Sequence, residues 1–170
     1  MNIVKIFDGL WQIDSVYPLE LLEECQQQDI ASIPWSPLGD EKYTQAHLPR
    51  RVLTPIDGVF LKFNQHVHTL FQQIKDTVNL PLEHFYSDIW ADYPGYYLPM
   101  HLDNDSIQVS MQVYLNDCDT YLGTEFNDYQ IPYKANSGYL MINTPNMLHG
   151  MLNKVPENFI RLSSYTRFLI

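Results

Sequence analysis

His101, Leu102 and Asp103 form the only His-x-Asp or His-x-Glu tripeptide in this chain. On an extended segment, residues i and i+2 project to one side, so the imidazole and the carboxylate meet at one point while Leu102 turns away. With 6 His and 13 Asp among 170 residues, chance alone supplies roughly half of one such motif, so the tripeptide decides nothing by itself. A surface histidine hydrogen-bonded to a neighbouring acid is the competing reading. His149 follows Asp103 after 45 intervening residues, enough to cross several strands and return beside the first pair. Two histidines and one carboxylate on one face of an octahedron leave the opposite face open, as in the non-haem Fe(II) oxygenases. The same three ligands could also hold a hydrolytic zinc.

An open metal face needs a co-substrate, and Arg161 is a candidate anchor for one. It lies 12 residues after His149, in a segment where Arg161, Ser163 and Tyr165 would share one strand face. A guanidinium grips a carboxylate through two parallel charge-assisted hydrogen bonds, which lysine reproduces poorly. Tyr114, on the polar side of the preceding strand, could add a phenol donor. The alternative for Arg161 is a structural ion pair with one of the many acids. Tyr93, Tyr96 and Tyr97 could pack in the core or the rim as readily as they could touch a substrate.

These residues need strands to carry them. In "IQVSMQVYLN", Ile107, Val109, Met111, Val113 and Leu115 alternate with Gln108, Ser110, Gln112, Tyr114 and Asn116, the pattern of a strand with one apolar face. Short strand-like runs separated by Pro, Asn and Gly continue from about residue 86 to the end, which predicts a β-sandwich or barrel. The first half reads as partly helical, with loops between. "PLELLEECQQQ" has the acids and the leading proline of a helix start. Phe63, Val67, Leu70, Phe71, Ile74 and Val78 predict an amphipathic helix over about 59–78. His66 and His68 fall on it and diverge by about 200°, so "HVH" is no chelate. The expected architecture is α+β, with N-terminal helices packed outside a jelly-roll barrel. It forms a single domain over 1–170, with support over about 1–85 and a core over about 86–170. The Pro-rich stretch 31–55 reads as a lid or substrate loop.

The formal charge of −10 repels phosphate backbones and argues against nucleic acid as a partner. Arg50 and Arg51, with Lys42 nearby, read as a solvated loop. Cys25 and Cys118 form no disulfide framework. No apolar run is long enough to span a membrane. The start "MNIVKIFDGLWQID" lacks the apolar core of a signal peptide, so a cytoplasmic protein is expected. Nothing in the chain indicates its oligomeric state. His47 and His84 read as surface or loop residues, Asn104 and Asp105 as turn residues, and Glu125 as an ordinary strand position.

The run "YPG", "HLD", "YLND", "GTEF", "SGYLMIN", His149 and "RLS" resembles, in that order, the core of the 2-oxoglutarate/Fe(II)-dependent dioxygenases. It is most similar to their prolyl 4-hydroxylase-like branch. The resemblance implies a double-stranded β-helix of the jelly-roll or cupin type. It implies His101, Asp103 and His149 as Fe(II) ligands, Arg161 on the distal carboxylate of 2-oxoglutarate with Tyr114 and Ser163 assisting, and Tyr93 lining the pocket. It further implies O2 as co-substrate, ascorbate as a stimulant, and hydroxylation of a prolyl or other peptidyl residue. A free amino acid or small metabolite is the alternative substrate, and a non-catalytic jelly-roll binding or structural protein the alternative class. Gly123-Thr124 departs from the paired glycines of the family. The N-terminal half carries no recognisable motif.

Overall fold

A computed structural model describes residues 1–37, 49–104 and 106–170. His47, Lys42, Asp105 and the middle of the 31–55 stretch lie outside the described residues. The chain opens with a hairpin, β1 (Asn2–Phe7) and β2 (Leu10–Asp14), followed by helix α1 (Leu19–Gln26). Two short strands, β3 (Ser36–Pro37) and β4 (Arg50–Leu53), lead to the long helix α2 (Gly58–Val78). The remaining strands are β5 (His84–Asp92), β6 (Leu98–His101), β7 (Val109–Tyr114), β8 (Glu125–Phe126), β9 (Tyr129–Gln130), β10 (Ser137–Ile142), β11 (His149–Met151) and β12 (Arg161–Leu169).

They form two sheets. The large one has the order β1-β2-β10-β7-β12-β5-β4-β3, and the small one β6-β11-β8-β9. All pairings are antiparallel. Strand alternation gives the large sheet two unlike faces. Val109, Met111 and Val113 of β7, Leu140 of β10 and Leu162 and Phe168 of β12 join Val59, Phe60, Phe63, Val67, Leu70, Ile74 and Val78 of α2 in one apolar cluster. The α2 stripe is the one the periodicity predicts, and Asn79, in the left-handed conformation, ends the helix with its N–H on the Lys75 carbonyl. Phe71, also in the stripe, is half-buried and stacks on Phe168. The opposite face of the sheet looks into the barrel. There Leu10, Tyr114, Tyr139 and Met141 pack with Phe126 and Met147.

The N-terminal half carries both expected helices and, in addition, strands that were not expected. Its hairpin adds two strands to the large sheet beside β10, and β4 with β3 extends the other edge past β5. Trp11 and Ile13 of β2 enter the helix-side core. The hairpin had a sequence signal, Asp8-Gly9 between the paired residues Phe7 and Leu10, and Gly9 takes the positive φ such a turn needs. Arg50 lies in β4 and is buried, contrary to the solvated-loop reading, because β4 pairs with β5 and sets Arg50 opposite Asp92. His66 and His68 diverge as expected, His66 toward the Val16 carbonyl and His68 against the Phe85 ring.

Phe63 is fully buried and takes the edge of Tyr17 at a centroid distance of 4.7 Å. Phe63→Ala should lower unfolding free energy by about 3–5 kcal/mol, read from a urea unfolding curve. A change below about 1 kcal/mol would mean that this seam does not carry the fold.

Candidate metal centre

The pairing of β6 with β11 creates the centre. His149 is the register partner of His101, so two residues far apart in sequence face each other across one rung of the small sheet. Their ring centroids lie 4.5 Å apart. Close approach of the strands depends on Gly150, where a Cβ would sit 2.7 Å from the Leu98 carbonyl oxygen. β6 ends at His101, and Asp103 follows two residues later with its carboxylate on the same side, while Leu102 is 45% exposed. One ligand atom from each of His101, Asp103 and His149 lies within 4.8 Å of the others. Asp103 Oδ1 is 3.8 Å from His101 Nε2 and 3.7 Å from His149 Nε2.

Each group is oriented by a second contact. Nδ1 of His101 lies 3.0 Å from the Pro99 carbonyl oxygen, and Nδ1 of His149 lies 2.8 Å from that of Met147. A ring that donates from Nδ1 carries its lone pair on Nε2, the nitrogen turned toward Asp103. Burial lowers the His149 pKa, against the opposing pull of Asp103, and favours the neutral ring a metal requires. The second oxygen of Asp103 accepts from Ser110 Oγ at 2.7 Å and from Tyr165 Oη at 3.0 Å. Burial raises the Tyr165 pKa, so the phenol stays protonated and donates. Three ligand atoms with fixed lone pairs and a supported carboxylate fit a divalent cation. The side chain of His149 is 5% exposed and that of His101 34%, so the centre opens on the His101 side.

A second polar group occupies the same inner face. Arg161, Ser163 and Tyr165 share it as the alternation predicts. Tyr165 serves Asp103, Ser163 accepts from Gln112 Nε2 at 3.0 Å, and Arg161 is 1% exposed. Arg161 donates from Nη1 to Asp92 Oδ2 at 2.7 Å and from Nε to the Leu122 carbonyl at 2.9 Å. Burial opposes its charge, but Asp92 and the nearby phenols outweigh that, and its pKa stays above the ordinary value. The Tyr114 ring centroid is 5.0 Å from the Arg161 guanidinium carbon, and its hydroxyl accepts from the Thr124 N–H at 2.8 Å and donates to Thr124 Oγ1 at 3.0 Å. The departure at Gly123-Thr124 therefore has a structural role of its own. Gly123 keeps the close approach, since a Cβ there would stand 2.1 Å from the Ile131 carbonyl oxygen. Tyr93 packs, half-buried, against the helix-side core. Tyr96 is the ring of that turn beside the charged groups, with its centroid 4.2 Å from the Arg50 guanidinium carbon.

Sequence reasoning passed over four participants. Ser110 and Tyr165 were legible as strand-mates of Tyr114 and Arg161, but nothing in the pattern said that they would meet Asp103. Asp92 and Arg50 meet only through the β4–β5 pairing.

No family model matches the chain, and no curated protein matches it. Solved structures do. A prolyl-4-hydroxylase from Pseudomonas putida superposes with a TM-score of 0.73 at 20% identity, covering 96% of this chain and 94% of that one. A prolyl hydroxylase from Trichoplax adhaerens, in complex with a hypoxia-inducible-factor degradation-domain peptide, gives 0.74 at 15% identity over 95% and 84%. HygX from Streptomyces hygroscopicus, with nickel and 2-oxoglutarate bound, gives 0.68 at 13% identity over 95% and 83%. The chain has their fold. In this double-stranded β-helix the large sheet contributes β5, β12, β7 and β10 and faces the small sheet, and the metal cluster stands at the start of β11 and the end of β6.

Tyr165→Phe removes one donor to Asp103 while keeping the ring. Affinity for Co(II) or Mn(II), measured by titration, should fall about 10–100-fold. Tyr86→Phe, on an exposed ring, should leave it unchanged; equal effects would separate Tyr165 from the centre.

Proposed function

We propose that this protein is a dioxygenase dependent on Fe(II) and 2-oxoglutarate, hydroxylating a C–H bond of a prolyl or other peptidyl side chain. The observation that carries this reading is the coexistence, on one barrel interior, of an oriented His101–Asp103–His149 cluster and a buried arginine group with more positive than negative charge. His101, Asp103 and His149 would hold the metal. The chemistry an Fe(II) ion supplies at such a site is the coupled oxidation, by O2, of 2-oxoglutarate and a C–H bond, giving succinate, carbon dioxide and the hydroxylated product. The protein's share is positioning. Arg161 would bind the distal carboxylate of 2-oxoglutarate, with Tyr114 and Ser163 on the same wall. Phe126, stacked on His149 at 5.3 Å, and Tyr139 keep water from the back of the centre.

The rim supports an apolar substrate group. Leu102 is 45% and Leu148 39% exposed, each adjacent in sequence to a ligand. A peptide ring or aliphatic side chain would rest there more readily than a charged one, and the acidic surface disfavours nucleic acid. The peptide held by the Trichoplax neighbour favours the peptidyl reading, while HygX, also solved with hygromycin B, shows that this fold also takes small molecules. A zinc hydrolase would use the same three ligands but has no need of the arginine group. A binding module has no need of ligands whose lone pairs are individually directed.

With Fe(II), ascorbate and labelled 2-oxoglutarate, the purified protein should form succinate, even uncoupled, and Asp103→Ala should abolish it. Arg161→Lys should raise the KM for 2-oxoglutarate about tenfold or more, the worth of a charged hydrogen bond of about 1.5–3 kcal/mol, with metal affinity nearly unchanged. Absence of both succinate and 2-oxoglutarate binding in the wild type would sink the proposal.

A further inference from the structure

Arg50, Asp92 and Arg161 are direct cross-strand neighbours on β4, β5 and β12. They form a plus–minus–plus row that is almost completely buried, at 7%, 0% and 1% exposure. Arg50 takes both oxygens of Asp92, from Nε to Oδ1 at 2.5 Å and from Nη2 to Oδ2 at 3.0 Å, whereas Arg161 takes only Oδ2. Among the described residues, no other acid lies within ion-pair distance of either guanidinium. The row therefore carries one positive charge in excess, and a buried excess charge is costly until an anion joins it.

We propose that Arg50 is a positioning residue for co-substrate binding: by neutralising Asp92 it leaves the Arg161 charge free for the distal carboxylate. This rests on the oxygenase reading above. If Arg50 were absent, Asp92 and Arg161 would close into a neutral pair and the attraction for a carboxylate would vanish. The socket around Arg50 is built for a planar cation. Its guanidinium carbon lies 4.1 Å from the Trp90 ring centroid and 4.2 Å from that of Tyr96, so π faces flank it while its edge meets Asp92. Trp90 in turn stacks on Tyr165 at 4.0 Å, the residue that supports Asp103. The charge row and the metal centre thus share a wall.

The test is direct binding to the full chain loaded with Zn(II), by calorimetry, for 2-oxoglutarate and for 2-oxopentanoate, which has a methyl group in place of the distal carboxylate. Arg50→Met should weaken 2-oxoglutarate about tenfold or more, the range of one charged hydrogen bond, and leave 2-oxopentanoate and Zn(II) affinity unchanged. Arg50→Met/Asp92→Asn restores the excess charge and should recover most of the lost affinity; structural damage would instead accumulate in the double variant. Should Arg50→Met fail to fold, Asp92→Asn alone serves: it raises the excess charge and should bind 2-oxoglutarate at least as tightly as the wild type. Parallel loss for both acids, no recovery in the double variant, or weakened binding by Asp92→Asn would overturn the role of Arg50. A wild type that binds neither acid would overturn the oxygenase reading beneath it.

Discussion

The apolar seam between α2 and the outer face of the large sheet is the contact on which the rest depends. A barrel whose interior mixes Asp92, Arg161, Gln112, Ser110 and Tyr165 with the small apolar cluster around Phe126 and Met141 is held from inside only in part by hydrophobic burial. The larger stabilising area lies on the other face, where Phe63, Val67 and Ile74 share one cluster with Met111, Val113 and Leu140. Strand alternation makes this division of labour possible, because each strand offers one residue to the seam and the next to the interior.

Polar groups inside the barrel are tolerated because they are paired. Gln112 links Ser163 to Thr124, Thr124 links to Tyr114, and Ser110 and Tyr165 share Asp103. Such chains restrict each side chain to one orientation, which is what a site with several directed groups requires. The buried Trp90 Nε1 has no hydrogen-bond partner among the described residues. It lies in the stack that joins Arg50 to Tyr165.

The two poles of the interior obey different constraints. At the metal centre, backbone pairing does the positioning: one rung of β6 and β11 sets the imidazoles, and backbone carbonyls hold their Nδ1 atoms. At the charged row, side chains from three strands position one another, and the balance of charge matters more than the location of any one atom. Fixed lone pairs suit a cation, whereas a net positive field with a few donors suits an anion.

The triad residues, Arg161, Tyr114, the faces of β7 and β12 and the length of α2 were all legible in the chain. They rest on period-two and 3.6-residue patterns and on residue chemistry, both local properties. The β1–β2 hairpin carried a local signal, Asp8-Gly9, that the reading of the first half as helix and loop passed over. Other features were decided only by tertiary structure. Arg50 looks like part of a charged, Pro-rich loop until β4 pairs with β5, and Asp92 looks like any strand-end acid until it stands between two arginines. Tyr93 and Tyr96 are indistinguishable as letters, and the turn after β5 decides which ring meets the charge. The sequence by itself determined which groups could do chemistry and which way they face along each strand. Which of them meet was left to strand register, because pairing between distant segments is set by the packing of the whole barrel and leaves no periodic trace in either segment.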